Sequence, residues 1–343
     1  MGVKITELLP KKDIDISLLS QKTVAIDASL FLYQFLSSIR QRDGSLLVDS
    51  KGNVTSHLAG LFSRTSKFLE KGLFPVYVFD GVSPKLKLEE QMRRRGIKET
   101  AEAKYKIALD KKDVEEMKKY ASRTSKLTKE MVEESKELLK AMGVPFINSP
   151  SEGEAQAAFL VKKGDAFCVA SQDTDSLLFG SPRLVRNLSV FGRRKLPNRY
   201  SYEHVSLELV SLDETLNSLG LVQDQLIALC MLVGTDFNVG GIKGIGPKNA
   251  VKLVKQYGED FDLLFKEVKW DECFDYPWED VYYLIKNMKT TEDYSIEPST
   301  PDIEQIKKIL VDNHDFSEER ISKTLETLNN EVKKKQQKSL FDF

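Results

Sequence analysis

Short apolar runs that end on carboxylates constrain this chain more than any other feature. Thr23-Val24-Ala25-Ile26 runs into Asp27, and Val76-Tyr77-Val78-Phe79 runs into Asp80. A third run, Phe167-Cys168-Val169-Ala170-Ser171, is followed by Asp173 and Asp175. Helical periodicity fills the space between the first two. Leu30-Phe31-Leu32-Tyr33-Gln34-Phe35-Leu36 follows Asp27, and from His57 to Lys71 one face carries Leu58, Leu61, Phe62, Phe68 and Leu69, closed by Gly72. Strand and helix in alternation favour a parallel sheet. In such a sheet the carboxyl ends of the strands share one edge, and ligands bind there. Acids at those ends are therefore expected to meet.

The alternation is interrupted and then resumes. It predicts a helix Lys129–Met142 closed by Gly143, a strand Val144–Ile147, a helix Pro150–Lys163 ended by Gly164, and strands Ala166–Ser171 and Arg183–Leu188. From Leu221 onward the pattern is mainly helical. The expected fold is α/β: a central, mainly parallel twisted sheet flanked by helices, with a charged helical insertion and a helical C-terminal part.

Three further acids complete a set of seven: Glu152 and Glu154 in Ser149-Pro150-Ser151-Glu152-Gly153-Glu154, and Asp236 in Leu232-Val233-Gly234-Thr235-Asp236. Local roles compete for some of them. Asp27 can cap the helix after it, and Ser149 with Glu152 fits a capping box, Ser149 at N-cap and Glu152 at N3. Capping alone does not call for seven acids so placed. Carboxylates held close together repel unless cations hold them, and hard oxygen ligands suit Mg²⁺ or Mn²⁺. Two such ions about 4 Å apart can stabilise both the attacking and the leaving oxygen of a phosphodiester hydrolysis.

Charge is distributed unevenly. The whole chain of 343 residues has a formal net charge of −1, yet Gly81 to Glu130 carries fifteen lysines and arginines against nine acids, a net of +6. A basic segment beside a carboxylate-rich remainder fits a metal site fed by a phosphate-binding surface. Cys168, Cys230 and Cys273 match no metal spacing, and the odd count points to a reducing compartment. Only three histidines occur, so zinc is not expected. No signal peptide and no membrane-spanning run is seen, and the protein is expected to be intracellular.

Gly241-Ile242-Lys243-Gly244-Ile245-Gly246-Pro247-Lys248-Asn249-Ala250 reads as a tight turn opening a helix. Glycines let the backbone approach a phosphate, Pro247 suits the first helical position, and the helix start offers free N–H groups. Lys243, Lys248 and Lys252 add positive charge. Such an element suits a phosphate or another anion.

With these segments in hand the sequence resembles the flap endonucleases, within the wider XPG-like family of structure-specific 5′ nucleases. The carrying segments are Ala25–Ser29, Val78–Gly81, Pro150–Ala157, Ser171–Ser176, Gly234–Phe237 and Gly241–Pro247, in family order over essentially the whole chain. The resemblance implies that Asp27, Asp80, Glu152, Glu154, Asp173, Asp175 and Asp236 bind two Mg²⁺, with Mn²⁺ able to substitute. It implies a catalytic pair at Lys87 and Arg94, a base-stacking aromatic at Tyr33, and an arch at about 81–135 under which a 5′ flap passes. The hairpin element, about 236–257, would hold duplex DNA with Gly244, Gly246 and its lysines, and with K⁺.

The tail 331–343 resembles a sliding-clamp (PCNA) binding box through Gln337, Leu340 and Phe343, without the second aromatic of that box. A single nuclease domain, about 1–330, is implied: an N-terminal region of about 1–100 and an internal region of about 136–260, with the arch between. The length looks archaeal, which would place the protein in the cytoplasm or nucleoid; a eukaryotic relative would be nuclear. A monomer acting on branched DNA with a 5′ flap is expected, leaving a 5′ phosphate and a 3′ hydroxyl, with 5′–3′ exonuclease activity and roles in Okazaki-fragment maturation and repair. The rivals are a nuclease preferring bubbles or four-way junctions, and a non-catalytic junction-binding adaptor tethered to the clamp.

Overall fold

The computed structural model describes residues 2–41, 43–111, 113–121, 124–195 and 202–326. The strands are β1 (Lys12–Ile14), β2 (Thr23–Asp27), β3 (Phe74–Phe79), β4 (Phe146–Asn148), β5 (Cys168–Ala170), β6 (Arg183–Arg186), β7 (Gly192–Lys195), β8 (Tyr202–Val205) and β9 (Leu207–Ser211). β7 and β8 form a separate antiparallel ribbon, and the other seven form one sheet in the order β1-β9-β6-β5-β2-β3-β4. β6, β5, β2, β3 and β4 are mutually parallel; β9 runs antiparallel to both β6 and β1. From β2 the chain winds through β3 to β4 on one side, then returns to place β5 and β6 on the other. The sheet therefore switches direction between β2 and β5, where a crevice opens at the carboxyl ends.

Both faces of the sheet are covered, which is why its central strands are apolar throughout. Side chains alternate between two cores. Ala25, Val76, Val78, Val169 and Leu184 face one, while Val24, Ile26, Tyr77, Phe79, Cys168, Ala170 and Val185 face the other. The second core is closed by α1 (Ala28–Ser38), α2 (Ser56–Glu70) and α5 (Lys129–Ala141), with Ile306, Ile309 and Leu310 from the C-terminal part. Between α2 and α5 stand α3 (Leu88–Asp110) and α4 (Val114–Ala121), packed on each other. The first core is closed by α6 (Gly153–Lys163), α7 (Asp175–Leu178), α8 (Leu212–Leu219), α9 (Gln223–Val233) and α10 (Pro247–Tyr257). α11 (Phe261–Glu267), α12 (Trp270–Cys273) and α13 (Trp278–Lys286) add Phe265, Trp270 and Tyr282 to it. No single helix among the described residues is long and apolar enough to cross a membrane.

The structure departs from the sequence reading at identifiable places. Helix α6 begins at Gly153, not at Pro150. The capping box is not formed: Ser149 Oγ donates to the Glu152 carbonyl and accepts from Ser151 N–H, so residues 149–152 are a turn, and Glu152 is itself the N-cap without using its side chain. Strands β4 and β5 are shorter than expected, and the sequence pattern gives no sign of β1, β7, β8 and β9. Cys168 and Cys230 are buried, while Cys273 is exposed.

Candidate active site

The strand ends deliver the acids. Asp27 is the last residue of β2 and the N-cap of α1, where its Oδ1 accepts from Leu30 N–H at 2.9 Å. Asp80 follows β3, and its Oδ1 accepts from Gly153 N–H at 2.7 Å. A Cβ on Gly153 would stand 2.9 Å from that oxygen and 3.3 Å from the Val78 carbonyl, so a larger residue would have to displace the Asp80 carboxylate. Asp173 and Asp175 follow β5, and Val3 N–H donates to Asp175 Oδ1 at 2.8 Å. Asp236 sits in the turn after α9. That turn is fixed by Asn238, whose side chain bonds Thr235 and the Met231 carbonyl, and by Tyr276, whose hydroxyl donates to the Phe237 carbonyl at 3.2 Å.

Each of the seven acids is within electrostatic reach of at least one other. Burial pushes the Asp27 carboxyl up to about 7, aided by the charges of Asp80 and Asp173. Burial does the same to Asp175, also to about 7, with Asp236 and Asp173 adding to it. Glu154 is pushed well above the carboxylate range by burial and by Asp175, Asp27 and Asp173. Burial also raises Glu152, and Asp80 and Asp236 push it further, while Lys87 opposes them. Each raised carboxyl reports the same fact: negative charge is crowded where water cannot dilute it. Glu152, Glu154, Asp175 and Asp236 line a common cleft with Val3 and Lys87.

Two cations from the basic segment enter this cluster. The Lys87 ammonium, at the start of α3, hydrogen-bonds Glu152 and lies 3.5 Å from Asp236. Arg94, two turns on, donates its Nη2 to both Asp236 oxygens at 2.7 and 2.8 Å. Neighbouring Arg93 and Arg95 bond Glu90 and Glu99. Among the described residues no three acids, imidazoles or thiols are grouped as one ready-made ion site. The donors are all hard oxygens, which suits an ion that keeps much of its water and takes few carboxylates directly; the chemistry of the set fits Mg²⁺ or Mn²⁺.

Tyr33 lies on α1, 37% exposed, with Lys98 Nζ 4.6 Å from its ring centroid and 3.4 Å from its hydroxyl. It lines a cavity of about 620 Å³ with Asp80, Lys87, Arg94, Lys98 and Lys126, one wall of which is α3. Lys243, Gly244, Gly246, Lys248 and Lys252 are exposed and form a separate surface at the start of α10, where Pro247 is in the first turn and Gly246 is the N-cap. Gln337, Leu340 and Phe343 lie outside the described residues.

Several participants escaped the sequence reading. Ser171 Oγ donates to Glu154 at 2.8 Å, accepts from Asp173 N–H, and stands 3.5 Å from Asp27. Gly2 packs against Asp173 and Asp175, where a Cβ would be 2.3 Å from Asp175 Oδ1. Serine at a strand end is a visible signal; nothing in the sequence near Gly2 marks it.

Comparison with known proteins agrees with this geometry. Residues 1–101 match the XPG N-terminal domain and residues 143–236 the XPG I-region, so the fold and site define a nuclease of the XPG class. Over 340 residues the chain is 49% identical to flap endonuclease 1 of Pyrococcus abyssi, covering 99% of this chain and 97% of that one. Over 338 residues it is 48% identical to flap endonuclease 1 of Aeropyrum pernix, covering 98% and 96%. The solved flap endonuclease-1 from Methanococcus jannaschii superposes with a TM-score of 0.76 at 43% identity, over 97% of this chain and all of that one. The catalytic core of Rad2 in complex with a DNA substrate superposes at 0.67 with 25% identity, over 93% and 96%. The chain belongs to the flap endonucleases, of the archaeal type, and its activity is structure-specific cleavage of 5′ flaps.

Proposed function

We propose that the carboxylate crevice holds two Mg²⁺ and that Lys87 and Arg94 are the catalytic cations beside them. The observation that carries this reading is the mutual electrostatic coupling of the carboxylates at one sheet edge, with Lys87 and Arg94 already inserted among them. Asp27, Asp80, Glu152, Glu154, Asp173, Asp175 and Asp236 would hold the ions directly or through water. When bound, such ions lower the pKa of a water nucleophile and stabilise charge on the leaving oxygen.

The protein's own share is positioning and charge. Lys87 and Arg94 can exchange their carboxylate partners for the non-bridging oxygens of the scissile phosphate, where a guanidinium grips two oxygens at once. Tyr33 offers a ring on which the base next to that phosphate can stack, and the cationic cavity walled by α3 gives the single strand a path. The exposed lysines around the start of α10 take the duplex backbone, with K⁺ as a further ion there. The C-terminal Gln337, Leu340 and Phe343 would tether the enzyme to the sliding clamp. Exonuclease activity from a 5′ end would use the same chemistry, and the kinship with flap endonucleases supports a role at Okazaki fragments.

The test is cleavage of a labelled 5′-flap duplex with Mg²⁺, with EDTA, and by an Asp175→Ala variant. Junction-localised cutting that requires both Mg²⁺ and Asp175 is expected, with the rate falling by at least about 100-fold when either is removed. Full activity in EDTA, or in the variant, would overturn the metal site.

A further inference from the structure

Helix α3 is the most solvated long helix of the fold, and one of its few buried side chains is a carboxylate. Its buried residues are Glu90, Ala101 and Ala108. Alanine burial on a helix needs no explanation, but an acid only 4% exposed does. Glu90 Oε2 accepts from Arg93 Nε at 2.6 Å, and Oε1 accepts from Arg93 Nη2 at 2.7 Å and from Arg94 Nε at 2.6 Å. Arg94 then reaches across to Asp236 with its Nη2. Its guanidinium is thus held at both ends, by Glu90 at Nε and by Asp236 at the tip.

The same helix supplies the contrast. Arg95 and Glu99 form an ordinary surface pair one turn apart, at 2.9 Å, with side chains 82% and 60% exposed. Pairs of that kind contribute little. Glu90 differs in being buried, in accepting from two arginines, and in touching a residue that itself touches the carboxylate cluster. Burial pushes the Glu90 carboxyl up, yet hydrogen bonds and charge from Arg93 and Arg94 bring it down to about 2. Both arginines thus favour its anionic form.

We propose that Glu90 is the positioning residue for Arg94: it holds the guanidinium by Nε, so that the terminal nitrogens stay aimed at the reaction centre when Asp236 turns to other partners. This rests on the reading of Arg94 as a catalytic cation. An arginine held by Nε keeps two terminal nitrogens for a bidentate grip on phosphate. Without Glu90 the long side chain keeps its charge but loses its aim, so the loss should appear in the chemical step and not in substrate capture.

The experiment is a double-mutant cycle read by single-turnover cleavage of a 5′-flap duplex, with DNA affinity measured separately in EDTA. Glu90→Gln is nearly isosteric and guards against misfolding, which the affinity measurement also reports. We expect Glu90→Gln to slow single-turnover cleavage by roughly 10- to 100-fold, by analogy with the loss when the outer partner of a metal ligand is removed, with affinity for the flap unchanged. In an Arg94→Ala background the same change should slow cleavage no further, because its effect passes through Arg94. Glu90→Asp, whose carboxylate is one methylene short, should recover part of the rate.

Three results would count against the proposal. An equal loss from Glu90→Gln with and without Arg94 would mean that Glu90 acts independently of it. A loss confined to DNA affinity would assign Glu90 to substrate capture. If Arg94→Ala itself cleaves at the wild-type rate, the catalytic reading of Arg94 fails, and the positioning role fails with it.

Discussion

Asp27 divides its carboxylate between two tasks: Oδ1 caps α1, and the group as a whole feels the charges of Asp80 and Asp173. With Asp175 it gives the metal-free protein a definite response to pH. Both carboxyls rise from an ordinary 3.8 to about 7. Groups so raised favour folding while protonated; that contribution is complete below about pH 3.8 and is lost as pH climbs through about 7. In EDTA the protein should therefore lose stability over that interval. Asp175→Asn, which cannot ionise, should be more stable than wild type above it by roughly 1–3 kcal/mol. Thermal melts across the interval would show this as diverging curves; parallel curves would contradict it.

Residue roles are unevenly legible in the sequence. Asp27, Asp80, Asp173 and Asp175 can be located because they close apolar strands. Glu152 sends a misleading local signal, because Ser149 and Glu152 satisfy the spacing of a capping box that the turn at 149–152 does not form. Its actual partner, Lys87, is 65 residues away, beyond the reach of any local pattern.

At the level of elements, long apolar helices and buried parallel strands are readable because their periodicities are strong. Strands β1 and β9 are not, since β1 is Lys-Asp-Ile and its partner β9 lies far along the chain, Lys12 opposite Leu209. The loop between α1 and α2 is equally opaque. Asp49 there accepts from Lys51 N–H, Asn53 N–H, Asn53 Nδ2 and the His314 ring, while Ser50 N–H donates to Asp315. Burial pushes the Asp49 carboxyl up, but those hydrogen bonds outweigh it and bring it down to about 2. A group so lowered stabilises the fold above its ordinary 3.8 and loses that contribution as pH falls towards about 2. Asp49→Asn should lower the melting temperature at neutral pH, and the gap to wild type should close as acid is added. A constant gap would mean that the carboxylate charge is not what ties this loop down.

The start of α10 makes an independent prediction. Lys243, Lys248 and Lys252 are exposed beside the helix N-terminus. Replacing all three with alanine should weaken duplex binding uniformly across sequences. The slope of log affinity against log salt should become shallower by about one for each phosphate that a lysine no longer neutralises. Cleavage at saturating DNA should change little, since the carboxylate crevice is a different surface. An unaltered salt slope would remove this element from the DNA interface.

For the whole molecule, the proposed clamp tether at Gln337, Leu340 and Phe343 carries its own expectation. Deleting residues 337–343 should abolish binding to the sliding clamp and leave clamp-free flap cleavage intact. Equal clamp affinity with and without the segment would dismiss the tail as a tether. The order in which the sheet is assembled has a further consequence for the cell. The sheet reverses between β2 and β5, and it is completed only when β9 docks on β6 and β1. The acids span positions 27 to 236, so a nascent chain emerging from the ribosome holds an incomplete set for most of its synthesis. A chain that stops before Asp236 therefore lacks one of the proposed metal acids, however much of the sheet it has formed.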